Sequence, residues 1–158
     1  MSGCCEGTEC VLPVSTLKCP SSGTDGSRVD SHTIKALLTA TALRRFEAGE
    51  YRFCNASACD VVYFSENGQT FSTSDVRVGV WQKQLQGDRT ICYCFDENES
   101  DIRAEIARDG GSRAVERVRT HVHAGRCACE ARNPRGVCCL GDVTAAVKRL
   151  ATGANAPR

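Results

Sequence analysis

From residue 31 the apolar positions fall into a helical rhythm. Ile34, Leu37, Leu38, Ala42 and Leu43 recur at helical spacing, with Asp30 or Ser31 available to cap the start and Gly49 to stop it. One helix is predicted there. The pattern then becomes rich in β-formers and alternating at residues 51–53, 61–64, 70–73 and 76–81, with Asn67-Gly68 placed to close a hairpin. Residues 51–81 therefore read as a small antiparallel sheet. After a polar stretch at 84–90 containing Gly87, the helical period returns in three segments. Ile102 and Ile106 lie between an Asp96 cap and Gly110-Gly111; Val115, Val118 and Val122 lie between Ser112 and Gly125; Val143, Val147 and Leu150 follow Asp142. Residues 1–28 lack periodicity and read as a flexible arm, and 151–158 as a disordered tail. The expected fold class is α+β, with one helix and a small sheet over 29–83 and a small helical unit over 91–150.

Composition adds the question of what holds these units together. The chain has 158 residues and twelve cysteines, but one tryptophan and five phenylalanines. Small units bury too little apolar surface to be stable unaided, so thiol chemistry is the expected staple. The first nineteen residues show no basic segment followed by an apolar run, which argues against export and for a cytoplasmic protein. In a reducing compartment, closely spaced cysteines are metal ligands rather than disulfides. Net charge is +1 with acidic and basic residues interspersed, so nucleic acid is not expected as a partner. No apolar run approaches the roughly 20 residues of a membrane span.

The cysteines form two groups. Cys54 and Cys59 have ligand-like spacing at the end of a strand, and Cys19 in Cys-Pro-Ser-Ser-Gly offers a third thiolate at a metal knuckle. A fourth ligand could come from Cys4, Cys5, Cys10 or His32, or the position could stay open. The adjacent Cys4-Cys5 pair could itself capture a soft ion such as Cu(I), or be idle. In the second unit Cys92, Cys94, Cys127, Cys129, Cys138 and Cys139 all fall at the ends of predicted helices. There, helix N-termini and loops supply the backbone N–H donors that a thiolate-held iron–sulfur cluster needs. Spacing alone leaves a second zinc site open. His121 and His123 invite a Rieske-type reading, although a helix C-terminus favours such residues for their interaction with the dipole. Asp60, Asp88 and Asp96 read as surface or capping residues.

Three segments carry a family resemblance: Ile91-Cys-Tyr-Cys-Phe95, Gly125-Arg-Cys-Ala-Cys-Glu130 and Asn133-Pro-Arg-Gly-Val-Cys-Cys139. With Phe53-Cys54 and residues 59–64, they resemble the N-terminal domain of CopZ-type copper chaperones over about residues 18–150. The C-terminal half is more distantly similar to the bacterioferritin-associated ferredoxin domain. The CopZ resemblance implies zinc and a [2Fe–2S] cluster as cofactors. Matched residue by residue, it assigns the cluster to Cys92, Cys94, Cys129 and Cys139 and the zinc to Cys19, Cys54 and Cys59, leaving Cys127 and Cys138 spare. Where the family's knuckle reads Cys-Pro-x-Cys, this chain has Ser22 at the second cysteine position.

The implied function is copper or heavy-metal handling, with copper or another soft ion and a redox protein as partners, and possible chemistry in reducing Cu(II) to Cu(I). No Gly-Met-x-Cys-x-x-Cys metal loop of the kind found in the full chaperones occurs in these 158 residues. The rival expectations are a stand-alone ferredoxin-like electron carrier and a non-redox adaptor stapled by zinc. A nucleophile–base pair, phosphate loop or histidine-rich centre that would suggest an enzyme is not apparent in the sequence.

Overall fold

The computed structural model describes residues 17–85 and 87–154. The fold is α+β, as the pattern of the chain implied. Four strands, β1 (Gly26–Val29), β2 (Tyr51–Cys54), β3 (Val61–Ser65) and β4 (Thr70–Ser72), form an antiparallel sheet in the order β1-β2-β3-β4. The β3–β4 hairpin turns at Asn67-Gly68, where Gly68 has φ +85°. That is a left-handed conformation which glycine adopts without a Cβ penalty.

Pairing of Phe53 with Tyr63 puts Tyr51, Phe53 and Tyr63 on one face of the sheet. They pack there with Val29, Ile34, Leu37, Leu38, Val62 and Phe71 in the first core. Burying each large side chain contributes roughly 1.5–3 kcal/mol. The same alternation sends Cys54 and Phe64 to the opposite face, where they meet Cys19 and Cys59. Strand period therefore delivers the Cys54 thiol away from the main core.

Three expectations for this unit need correction. The arm expected over 1–28 contains β1, which pairs with β2 from Gly26↔Cys54 to Val29↔Tyr51. Its sequence, Gly-Ser-Arg-Val, is too polar to show a strand period. Gly26 is required there because a Cβ would lie 2.5 Å from the Phe64 ring. The single helix after Ser31 is two, α1 (Ser31–Leu37) and α2 (Ala40–Arg44). Between them Leu38 is extended (ψ 144°) and bridges Val76. The Leu37 carbonyl accepts from Arg77 N–H at 2.8 Å, and Thr39 N–H donates to Asp75 O at 2.8 Å. This backbone pairing competes with helix continuation, and the Thr39 hydroxyl restarts the helix by accepting from Ala42 N–H. Residues 76–81 consequently form an isolated bridge and not a strand, flanked by 3₁₀ turns at Thr73–Asp75 and Trp81–Lys83.

The second part begins with a two-stranded ribbon, β5 (Thr90–Cys92) and β6 (Glu97–Asn98). Then come α3 (Glu99–Asp109), α4 (Ala114–His123), the short α5 (Cys129–Arg132) and α6 (Leu140–Ala154). Neither the ribbon nor α5 was predicted, because two- to four-residue elements carry no measurable period. Asn98 caps α3 by accepting from Asp101 N–H at 2.9 Å, the role expected of Asp96. Asp96 instead occupies the ribbon's turn at φ +54°. Helix α6 starts at Leu140 and runs to Ala154, so only 155–158 of the expected tail lie outside the described residues. Ile91, Ile102, Ile106, Val118, Val143 and Leu150 form the second core.

Two features join the cores. The buried Tyr63 hydroxyl donates to Pro134 O at 2.7 Å. Gly136, at φ +68°, lies so close to α1 that a Cβ would be 2.8 Å from Thr33 Oγ1. The loop before Cys138 is thus held against the sheet unit. Among the described residues no helix is long and apolar enough to cross a membrane.

Glu99 anchors the helical part. Its side chain is 5% exposed and accepts from Arg89 at 2.6 Å and from Arg149, tying the ribbon and α6 to α3. Burial alone would raise its pKa, but the two guanidinium groups outweigh this and hold the carboxyl below its ordinary value. The resulting stability is fully present above the unfolded carboxyl's pKa and is lost as pH falls through the lower folded value. Glu99→Gln should destabilise the protein by about 2–3 kcal/mol at pH 7. In urea melts that deficit should shrink as the pH falls below the folded-state pKa. A deficit independent of pH would show that packing, and not charge, is lost.

Candidate metal centres

The first centre lies on the far face of the sheet. Cys54 ends β2, Cys59 closes the 55–60 loop, and Cys19 sits in a tight knuckle where its N–H donates to Thr24 O and its carbonyl accepts from Gly23 N–H. All three thiols are buried, at 1%, 0% and 9% exposure for Cys19, Cys54 and Cys59. Their sulfurs lie within 4.8 Å of one another, with Cys19 and Cys59 at 3.9 Å. A tetrahedral ion with metal–sulfur bonds of about 2.3 Å places its ligand sulfurs about 3.8 Å apart. The thiols are spaced to share one ion, and the all-sulfur donor set suits zinc.

Burial pushes the Cys19 thiol up, but hydrogen bonds from the Ser22 side chain and from the backbone of Ser22 and Ser21 outweigh it and bring the group down to about 7. Burial dominates at Cys54 and raises it. The Ser22 hydroxyl lies 3.4 Å from Cys54 Sγ. No histidine or carboxylate among the described residues joins the trio. His32, a possible fourth ligand on sequence grounds, is exposed on α1 and outside the group. Cys4, Cys5 and Cys10 lie outside the described residues.

The second group gathers at the junction of the β5–β6 ribbon, α5 and the start of α6. Cys94 and Cys129 sulfurs are 3.8 Å apart, the separation expected of two ligands on one metal. Cys92 and Cys139 form a second contact, thiol to thiol. That hydrogen bond, with amides of Phe95 and Cys94, brings Cys92 down to about 7, while Cys139 is pushed up by Cys92 and by burial. Burial and the neighbouring Cys94 push Cys129 up to about 12. No three of these sulfurs lie within 4.8 Å of one another. Backbone amides point at the thiols: Ala128 N–H donates to Cys94 Sγ at 3.3 Å, and Cys139 N–H reaches Cys129.

The spare residues behave differently. Cys127 is half-buried and Cys138 is exposed. His121 stacks on Phe95, with ring centroids 4.4 Å apart, and its Nδ1 is 3.1 Å from Arg126 Nη1. His123 is exposed, and neither histidine falls in a metal-sized group. Asp88 accepts from Ser100 N–H and Oγ at the start of α3, and Asp60 accepts from the Thr73 hydroxyl, in keeping with capping and surface roles. The contact between Ser22 and the first centre was signalled in the sequence only by serine standing where the family has cysteine. The Lys83 ammonium, which donates to Ala56 O at 2.6 Å beside that centre, carried no sequence signal.

Comparison with known proteins agrees with this geometry. The CopZ zinc binding domain family model matches residues 16–77, the span holding Cys19, Cys54 and Cys59. The copper chaperone CopZ of Archaeoglobus fulgidus is 29% identical over 123 residues, covering 78% of this chain and 58% of that protein. The chain thus spans somewhat more than half the length of the curated relative it matches. The X-ray structure of the A. fulgidus CopZ N-terminal domain aligns with a TM-score of 0.67 and 28% identity, over 82% of this chain and 96% of that domain. The expected likeness of the C-terminal half to a bacterioferritin-associated ferredoxin gains no support from these comparisons. In sequence and in fold the chain resembles the N-terminal domain of CopZ-type copper chaperones, and its residues 16–77 match that family's zinc-binding domain.

Proposed function

We propose that this chain is a redox metalloprotein of copper handling, in which Cys19, Cys54 and Cys59 hold zinc and Cys92, Cys94, Cys129 and Cys139 hold a [2Fe–2S] cluster. The observation that carries the cluster reading is pairing without convergence. Cys94 meets Cys129 and Cys92 meets Cys139, yet no three of the four sulfurs come within 4.8 Å. One zinc ion would need all four thiolates about 3.8 Å from one another, whereas two irons need two such pairs set apart. This argues against the adaptor with two structural zinc ions.

The chemistry such a cluster supplies when bound is reversible one-electron exchange. The chain's own part is to orient four thiolates and to aim the amides of Cys94, Phe95, Ala128 and Cys139 at them, which favours the more negative, reduced form. Exposed Cys138 and Val137, adjoining the buried Cys139, bring this edge to solvent, where a redox protein could approach. The copper reading rests on the resemblance to a copper chaperone. With electrons from an external donor protein, the useful reaction is Cu(II) to Cu(I), because only Cu(I) is soft enough for thiolate transfer.

Protein purified without oxygen should be brown-red and bleach with dithionite. The reduced protein should then convert added Cu(II) to a chromogenic Cu(I) chelate at about one copper per cluster. Colourless protein from iron-replete cells would overturn the cluster. Coloured protein inert to Cu(II) would leave an electron carrier.

A further inference from the structure

Three corners of the first centre are buried thiols, and the fourth corner differs from them. Ser22, which is exposed, lies over the trio, with Oγ 3.4 Å from Cys54 Sγ and a second hydrogen bond to Cys19. The knuckle fixes it there, since Thr24 N–H donates to Ser22 Oγ at 3.3 Å. On this side the centre opens on a surface cavity of about 250 Å³ lined by Ser21, Ser22, Ala56, Ala58, Cys59 and Asp60. On the other side Leu17, Val61 and Phe64 close over the sulfurs. Zinc with three thiolates carries a net charge of −1. The Lys83 ammonium, held at Ala56 O, lies close enough to act on Cys54.

We infer that the zinc centre is an open three-thiolate site, its fourth corner held by the exchangeable oxygen of the Ser22 hydroxyl or of water, and that a small thiol entering the cavity coordinates there. The inference rests on the zinc reading above. A structural zinc site is ordinarily closed by four protein ligands, and sites with three keep a position for an incoming group. The exchange balances simply. The entering thiol gives its proton to solvent, its sulfur bonds to zinc, the neutral oxygen donor leaves, and zinc stays divalent. Serine oxygen is a poor partner for zinc beside thiolates, so displacement by sulfur is favoured.

Cobalt(II) substituted for zinc in the full chain reports the donor set through its d–d bands. The wild type should show a three-sulfur, one-oxygen spectrum that moves to a four-sulfur spectrum as 2-mercaptoethanol is added. Ser22→Cys should show the four-sulfur spectrum from the start, ignore the added thiol, and release zinc to a chromophoric chelator about tenfold more slowly or less. Ser22→Ala, which leaves water at the corner, should keep the thiol response and so guards against a folding effect of the cysteine. A wild-type four-sulfur spectrum that ignores added thiol, and reverts in Cys4→Ser, Cys5→Ser or Cys10→Ser, would overturn the inference while leaving the zinc in place. Wild-type protein with no zinc by native mass spectrometry after zinc addition would overturn the zinc reading and this one with it.

Discussion

Cys139→Ala and Cys129→Ala are expected to yield colourless protein, and Cys138→Ala and Cys127→Ala to keep full visible absorption. The contrast is sharp because the members of each comparison are neighbours. Cys138 and Cys139 are adjacent, yet Cys139 is 2% exposed and hydrogen-bonded to the Cys92 thiol, while Cys138 is exposed to solvent. Cys129 is 7% exposed and 3.8 Å from Cys94, while Cys127 is half-buried and outside both thiol pairs. With the proposed cluster bound, losing one thiolate from either pair would leave an iron short of a ligand, and binuclear clusters do not persist on three. Iron and labile sulfide, measured beside the spectrum, should fall to background in the first two variants. Colour retained in Cys139→Ala but lost in Cys138→Ala would mean that the neighbouring thiol is the ligand and that the pairing described above is mistaken.

Stripping zinc should be the second large effect. The cluster of apolar groups around Cys19, Cys54 and Cys59 is small, with Phe64 as its one large buried member. Beyond that, the knuckle and the 55–60 loop are tied by surface hydrogen bonds, among them Asn55 donating to Asp25 O, Lys83 to Ala56 O and Thr73 N–H to Asp60 O. At free zinc a thousandfold above Kd, binding contributes about 4 kcal/mol, which for a chain of this size corresponds to a fall in Tm of about 8–16 °C on chelation. Cys54→Ala should show the same fall and no further response to chelator. Binding requires thiolates, and Cys54 is raised while Cys19 stands at about 7. Protons therefore compete increasingly as the pH drops below 7, and the chelator-sensitive part of Tm should shrink on that side. A Tm indifferent to verified zinc loss would show that the sheet, and not the ion, holds the knuckle.

The readable parts of this chain were those whose signal is local. Ile102, Ile106, Val143 and Leu150 announced their helices because 3.6-residue spacing puts them on one face, and each is buried in the second core. Asn67-Gly68 announced its hairpin because the turn demands positive φ. The cysteine spacings marked the two sets of thiols that the fold brings together, since metal chemistry restricts which side chains can serve and how far apart they can stand. In contrast, β1 and the break at Leu38 were illegible. Gly-Ser-Arg-Val becomes a strand only because β2 is there to pair with it, and the helix stops at Leu37 because residues 75–77 take up its backbone groups.

The thiols and their grouping into an N-terminal and a C-terminal set were thus written in the residues themselves, because thiol chemistry is a property of side chains. Which sulfurs stand 3.8 or 3.9 Å apart, which thiols stay at the surface, and that Ser22 covers the exposed corner of the first centre depend on contacts between segments tens of residues apart. Those contacts are set by strand register and by the docking of Tyr63 onto Pro134, and no local pattern encodes a distance across the fold.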